Sequence, residues 1–143
     1  MTPAFHVEFT VPGEPRGKGS GRAAIVGRHA RIYTDSKTRS EMGAVRIIAF
    51  AAMQGRPPYV GPVVLYVCAY LGMPRSWSEK KRFSAGTLHE IVPTKRPDLS
   101  NILKLLEDGC NKVCWADDSQ VVTLVMVKRY SSVPSLFIKI ESV

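Results

Sequence analysis

The sequence predicts one α+β domain, residues 1–143, built as a mixed β-sheet of about four main strands with helices packed on it. Three observations carry that prediction. The length, 143 residues, suits a single core and is too short for two. Period-two and β-branched runs open and close the chain, whereas segments near residues 45 and 105 repeat their apolar residues at steps of three and four. Hydrophobic residues make up 45% and charged residues 22%, a balance that supports a packed core and excludes a disordered chain or fibrous repeat.

Phe5, Val7, Phe9 and Val11 alternate with His6, Glu8 and Thr10, which predicts a half-buried first strand. From Pro12 to Gly27, five glycines and two prolines interleave with Arg16, Lys18 and Arg22, and this stretch reads as a flexible basic loop. A short extended piece covers Arg31 to Thr34. Asp35 or Ser36 then caps a helix carrying Met42, Val45, Ile48, Ala49 and Ala52, which ends near Gly55, ahead of Pro57 and Pro58.

Val63 to Leu71, bounded by Gly61-Pro62 and Gly72, is rich in β-branched and aromatic residues and predicts a buried strand. Ser78 caps a short basic helix within Met73 to Ala85 that carries Glu79, Lys80, Lys81 and Arg82. After Pro93 and Pro97 comes the clearest helix, 99–113, with Leu99, Ile102, Leu103, Leu106, Cys110 and Val113 on one face. Val121 to Tyr130 and Leu136 to Ile140 close the chain as strands. No internal repeat, low-complexity tract or linker interrupts it.

Apolar runs such as Val63 to Leu71 fall far short of the roughly 20 residues a membrane helix requires, and no charged-then-apolar leader opens the chain. The three cysteines, Cys68, Cys110 and Cys114, form an odd set that points to reduced thiols in a cytoplasmic compartment. Cys110, Cys114 and His89 raise the question of zinc, but their spacing matches no common zinc pattern, and buried free thiols are the simpler account. Charge is more informative. Twenty Lys and Arg against twelve Asp and Glu give +8, so an anionic polymer, nucleic acid first, is the indicated partner.

Acidic residues are scarce yet clustered. Asp98, Glu107, Asp108, Asp117 and Asp118 place five of the twelve within residues 98–118. A solvated helix face accounts for Glu107 and Asp108. The adjacent pair Asp117-Asp118 lies instead where the chain turns from helix to strand, and hard divalent cations prefer such carboxylate oxygens. Asp98 stands at the helix start, where the macrodipole favours its ionised form. If the loop from Ala116 to Ser119 folds back to this end, Asp98 and one of the pair converge on one ion, while Asn101, Lys104 and Asp108 line the polar side of the helix.

The stretch Lys95-Arg96-Pro97-Asp98-Leu99-Ser100-Asn101-Ile102-Leu103-Lys104, then Asp108, then Trp115-Ala116-Asp117-Asp118-Ser119-Gln120-Val121-Val122 resembles the RusA family of Holliday-junction resolvases. That family's pattern is Lys/Arg-Pro-Asp-x-Asp-Asn-Leu-x-Lys, followed after a spacer by Trp-x-Asp-Asp-x-Gln-Val. Pro12-Gly13-Glu14-Pro15-Arg16-Gly17-Lys18-Gly19 and Arg31-Ile32-Tyr33-Thr34 are similar to its early basic loop and Tyr-Thr segment, so the resemblance spans most of the chain.

The resemblance implies a RusA-like, homodimeric, Mg²⁺-dependent endodeoxyribonuclease, with Mn²⁺ as a substitute ion, often carried by phages and prophages, that resolves four-way junctions by paired nicks. Asp98 and Asp118 match its acidic catalytic residues, Asp117 is the neighbouring acid, and Lys104 matches a lysine important for activity. The metal set it implies is Asp98, Asp117 and Asp118, with Ser100 in the position of the family's second aspartate. Asn101 is placed to orient a carboxylate or water. The departure at Ser100 leaves a second reading, a catalytically silent dimer that binds four-way or branched DNA. A generic basic domain is the third.

DNA contact is expected on Arg16, Lys18, Arg22, Arg28, Arg31, Lys37 and Arg39, seven bases in the 24 positions from 16 to 39 beside one acid, Asp35. Lys80, Lys81, Arg82, Lys95 and Arg96 form a second cluster. Trp77 and Trp115 have two readings, stacking on unpaired bases or packing in the core, and packing is the simpler. Of the histidines His6, His29 and His89, only His89 merits a test.

Overall fold

The computed structural model describes residues 2–19, 22–33 and 36–143. Its main sheet has four strands: β1 (His6–Pro12), β6 (Ser135–Ser142), β4 (Val63–Gly72) and β5 (Val121–Ser131), in the spatial order β1-β6-β4-β5. β6 runs antiparallel to both neighbours, and β4 and β5 run parallel, so the sheet is mixed, as the sequence predicts. A parallel pair needs a long crossover. Here it carries α2 (Glu79–Gly86) and α3 (Leu99–Cys110), while α1 (Ser36–Met53) precedes β4.

The alternation read in β1 is observed as a strict exposed–buried pattern. Its buried residues join Leu65 and Val67 of β4 and Ile138 and Ile140 of β6 beneath Val45, Ala49 and Met53 of α1 and Ile102, Leu106 and Cys110 of α3. Each fully buried Leu or Ile contributes about 1.5–3 kcal/mol, so this one-sided layer supplies most of the driving force. α1 and α3 touch at Gly109. A β-carbon there would lie 2.5 Å from Val45 Cγ1, so only glycine permits the approach.

Two expectations are corrected. The stretch 12–27 is not one loop: β2 (Arg22–Val26) pairs antiparallel with β3 (His29–Tyr33). Gly27, at φ 63°, and Arg28 make a two-residue turn that needs the left-handed conformation glycine supplies. Helix α3 ends at Cys110 rather than 113. Asn111 N–H donates to Glu107 O at 2.8 Å, Lys112 adopts φ 63°, and its N–H donates to Trp115 O at 2.7 Å. That turn drives Trp115 into the core, where it is 0% exposed, and so settles its reading as packing.

The other expected helices hold. Ser78 Oγ accepts from Lys81 N at 3.2 Å at the start of α2. α1 begins at Ser36, and Thr34 and the alternative cap Asp35 lie outside the described residues. β5 forms one edge of the sheet and carries apolar side chains into solvent. Leu124 pairs in register with fully buried Leu65, yet it is 42% exposed, and Val122 and Val125 beside it are 59% and 45% exposed.

Candidate metal and DNA site

Asp98 is the N-cap of α3, with extended backbone at φ −72°, ψ 145°. Its carbonyl accepts from the N–H groups of Asn101 and Ile102, both at 3.1 Å, but its carboxylate makes no capping hydrogen bond. An N-cap aspartate ordinarily spends its side chain on those first N–H groups. Here the exposed carboxylate points elsewhere, at the positive end of the helix dipole. Ser100 is exposed on the first turn, Asn101 is half-buried, and Lys104 is exposed one turn further along. The loop leading to Asp98 is held by Lys128 of β5, whose Nζ donates to Lys95 O at 2.8 Å and to Pro97 O at 3.2 Å.

Residues 15–19 form a strap across the polar side of α3. Lys18 N–H donates to Asn101 O at 2.9 Å, Lys18 Nζ pairs with Asp108 at 2.7 Å, and Gly19 N–H donates to Thr38 Oγ1 at 3.0 Å. Between strap, α1 and Asp98 opens a cleft of about 570 Å³, lined by Arg16, Lys18, Lys37 and Arg96 with Asp98 and Asn101. Glu41 lines the cleft as well, and of its four cations Lys37 and Arg96 make no ion pair among the described residues, so these two carry most of its attraction for phosphate. The expectation that Lys18 serves as a DNA-facing cation is revised, because Asp108 neutralises much of its charge. Arg16 is partly paired, with Nε 3.5 Å from Glu41.

Gly17 makes the strap possible. A β-carbon there would sit 2.7 Å from Asn101 Cβ and 3.3 Å from Pro97 Cβ. Gly17→Ala should therefore destabilise the fold by about 1–3 kcal/mol or lift the strap from α3. The expected result is a lower thermal midpoint together with weaker DNA binding in a gel shift. Parent-like values for both would mean that the strap is not a seated element.

The remaining bases are scattered. Arg28 is exposed at the hairpin tip, and Lys37 and Arg39 are exposed on the first turn of α1. Lys80 is exposed on α2, Lys81 lies 4.4 Å from the centre of the Trp77 ring, and Arg82 Nη1 donates to Pro74 O at 3.2 Å. Trp77 itself meets Tyr130 edge-on at 5.1 Å, so it packs rather than presenting a free ring. Lys95 Nζ stands 5.8 Å from the Tyr130 ring. The side chains of Arg22 and Arg31 fall outside those described. His89 adopts φ 56°, and its Nδ1 is buried without a partner among the described residues.

Asp117 and Asp118 open the 3₁₀ turn Asp118–Gln120 that leads into β5. Asp117 Oδ1 accepts from Ser119 N–H at 2.8 Å, and Gln120 Oε1 accepts from Asp117 N–H at 2.8 Å, a reciprocal cap. Gln120 Nε2 donates to Tyr59 O at 2.8 Å and Gly61 O at 2.9 Å, which fixes the turn to the segment ahead of β4. The Ser119 hydrogen bonds hold the Asp117 carboxyl below the usual carboxylate range. Asp118 Oδ1 accepts from the buried Trp115 Nε1 at 2.8 Å. Burial, with Asp118 and then Asp108 nearby, pushes the Glu107 carboxyl up.

Asp118 therefore acts on Glu107 and Cys110, at the C-terminal end of α3, while Asp98 sits at its N-terminus. Twelve residues of helix separate the two ends, roughly 18 Å. The expected convergence of Asp98 with Asp117 or Asp118 within one chain is thus not observed. The anchored Trp115 holds the acid pair at the far end. Among the described residues, no three His, Cys, Asp or Glu side chains are grouped to hold a metal. The oxygen donors suit a hard divalent cation, but one protomer does not assemble them. Cys110 and Cys114 lie in the core, and their mutual hydrogen bond, with burial, raises the Cys110 thiol well above its usual range.

A small α+β domain that sets a basic cleft beside exposed carboxylates has the build of a nucleic-acid-processing enzyme. The family described as Endodeoxyribonuclease RusA matches residues 12–141, and the chain belongs to that family. It is also similar to "Uncharacterized protein YqaN" of Bacillus subtilis (strain 168), with 34% identity over 140 residues that cover 96% of each chain. No helix is long and apolar enough to cross a membrane among the described residues.

Proposed function

We propose that this protein is a homodimeric, divalent-metal-dependent endonuclease that resolves four-way DNA junctions by paired symmetric nicks. The observation that carries the reading is the cleft lined by Arg16, Lys37 and Arg96 together with Asp98, whose carboxylate makes no hydrogen bond or ion pair among the described residues. Family membership supplies the reaction class.

The separation of the acids supports the dimer. Strand β5 follows the Asp117-Asp118 turn and passes Lys128, the residue that holds the Asp98 loop, near its other end. If two β5 edges pair antiparallel about a two-fold axis, the head of each strand lies beside the tail of the other. Asp117 and Asp118 then face the partner's Asp98, and two identical sites result, as two symmetric nicks require. The pairing also covers Val122, Leu124 and Val125, which an unpaired edge leaves open to aggregation. Leu124→Lys should accordingly give a folded monomer in sedimentation that has lost nicking. A dimeric L124K protein would place the interface elsewhere.

In this site Asp98, Asp118 and Asp117 would hold the cation, Mg²⁺ with Mn²⁺ as substitute. When bound, such an ion would supply charge to polarise the scissile phosphate and lower the pKa of an attacking water. The cleft bases hold the flanking phosphates, Lys104 offsets charge on the reacting phosphate or leaving oxygen, and Asn101 orients a carboxylate or water. Ser100 favours a second reading, a junction-binding dimer without hydrolysis, because a serine hydroxyl is a neutral and weak ligand.

Two assays test these readings. In EDTA, a gel shift should show preference for four-way over linear DNA, with affinity falling steeply with salt through counterion release. With Mg²⁺ or Mn²⁺ the same junction should acquire paired nicks. Binding without nicking leaves the silent dimer, and equal affinity for linear DNA removes both readings.

A further inference from the structure

We infer that Lys128 is a positioning residue for Asp98, and this rests on the nuclease reading above. Its ammonium bridges two carbonyls of one short loop, Lys95 O at 2.8 Å and Pro97 O at 3.2 Å. Pro97 is the residue directly before Asp98, so the bridge fixes the peptide from which the carboxylate departs. On its other side Asp98 is held through its carbonyl, which accepts from Asn101 and Ile102 at 3.1 Å. The Asp98 carboxylate makes no capping hydrogen bond and no ion pair among the described residues, so its direction is inherited from the backbone that Lys128 grips.

The donor suits that role. Lys128 is part-buried on a strand whose pairing with Ala69 of β4 fixes its main chain. An ammonium can donate to two carbonyls at once, and hydrogen bonds from a charged donor are stronger than neutral ones. The contact also links the two acid groups: the strand that starts at the Asp117-Asp118 turn ends by holding the Asp98 loop. A ligand held by a supporting residue loses affinity for its ion when that support is removed, typically by ten- to a hundredfold.

The test compares the parent, Lys128→Met and Lys128→Arg as full-length proteins. Mn²⁺ binding is followed by electron paramagnetic resonance, alongside single-turnover nicking on a four-way junction and junction affinity in EDTA. For K128M, the expected result is Mn²⁺ affinity and nicking each reduced about tenfold or more, with junction affinity and thermal midpoint close to the parent. K128R, which can still donate to both carbonyls, should recover most of the loss. The assignment is overturned if K128M matches the parent in Mn²⁺ affinity and nicking. It is equally overturned if K128M loses junction binding and stability in step with nicking, or if K128R is as impaired as K128M, since any of these makes Lys128 structural or dispensable. A parent that neither binds Mn²⁺ nor nicks would instead overturn the nuclease reading itself, and the positioning role with it.

Discussion

Asp118→Asn should abolish metal-dependent nicking, by about a thousandfold or more, on the order of 4 kcal/mol of transition-state stabilisation. The structure explains why asparagine is the informative replacement. Asp118 Oδ1 accepts the hydrogen bond of the buried Trp115 indole at 2.8 Å, and an asparagine oxygen can go on accepting it. Only the charge is lost. Asp118→Ala would also orphan the indole N–H, at a cost of about 1–3 kcal/mol, so its phenotype would mix folding with chemistry. D118N should bind a four-way junction in EDTA as tightly as the parent or slightly more so, because an acid near phosphates has been removed. Loss of junction binding together with nicking would show that Asp118 serves the fold rather than the reaction.

Ser100→Asp should raise single-turnover nicking by about a hundredfold, since each 1.36 kcal/mol is about tenfold in rate and a restored carboxylate ligand supplies several. Ser100 is exposed on the first turn of α3, two residues beyond Asp98, so the longer side chain meets no packing constraint. A carboxylate at that end of the helix also gains about 0.3–1 kcal/mol from the macrodipole, and the variant should melt no lower than the parent. If S100D folds, binds junctions and cleaves no faster across Mg²⁺ and Mn²⁺ titrations, position 100 is not a vacated ligand site. The silent-dimer reading would then require a second defect.

Much of the fold was legible in the sequence because local pattern and burial agreed. Strand β1 announces itself by Phe5, Val7, Phe9 and Val11, and α3 by Leu99, Ile102, Leu106 and Cys110, since each element buries one face against a single layer. The hairpin of β2 and β3 was hidden. Ala23 and Ala24 give no period-two signal, and the upstream glycines make the whole stretch read as loop, although Gly27-Arg28 between two short runs is a turn signature.

For the site, the residue types were readable but their distances were not. Asp98 and Asp117-Asp118 stand close in the motif, yet Trp115 anchors the acid pair at the opposite end of α3 through a tertiary contact that no local spacing encodes. Lys128 was missed for the same reason: it lies within an ordinary strand pattern, and its partners are carbonyls 31 and 33 residues away. Gly17 left a trace as one of the two glycines in the strap, but the need for it comes from Asn101, far along the chain.

The place of β6 in the sheet bears on how the protein is made. The last strand sits between β1 and β4, pairing His6 with Glu141 on one side and Leu65 with Ile140 on the other. A growing chain that has released β1, β4 and even β5 from the ribosome still lacks the strand that joins β1 to the other strands of the sheet. Contacts spanning 135 residues of sequence are costly to close, and topologies dominated by them fold on the slower, millisecond-to-second scale. The sheet is therefore completed only after synthesis has passed residue 140, and a prematurely terminated chain should be degraded or aggregate rather than persist as a partly active nuclease.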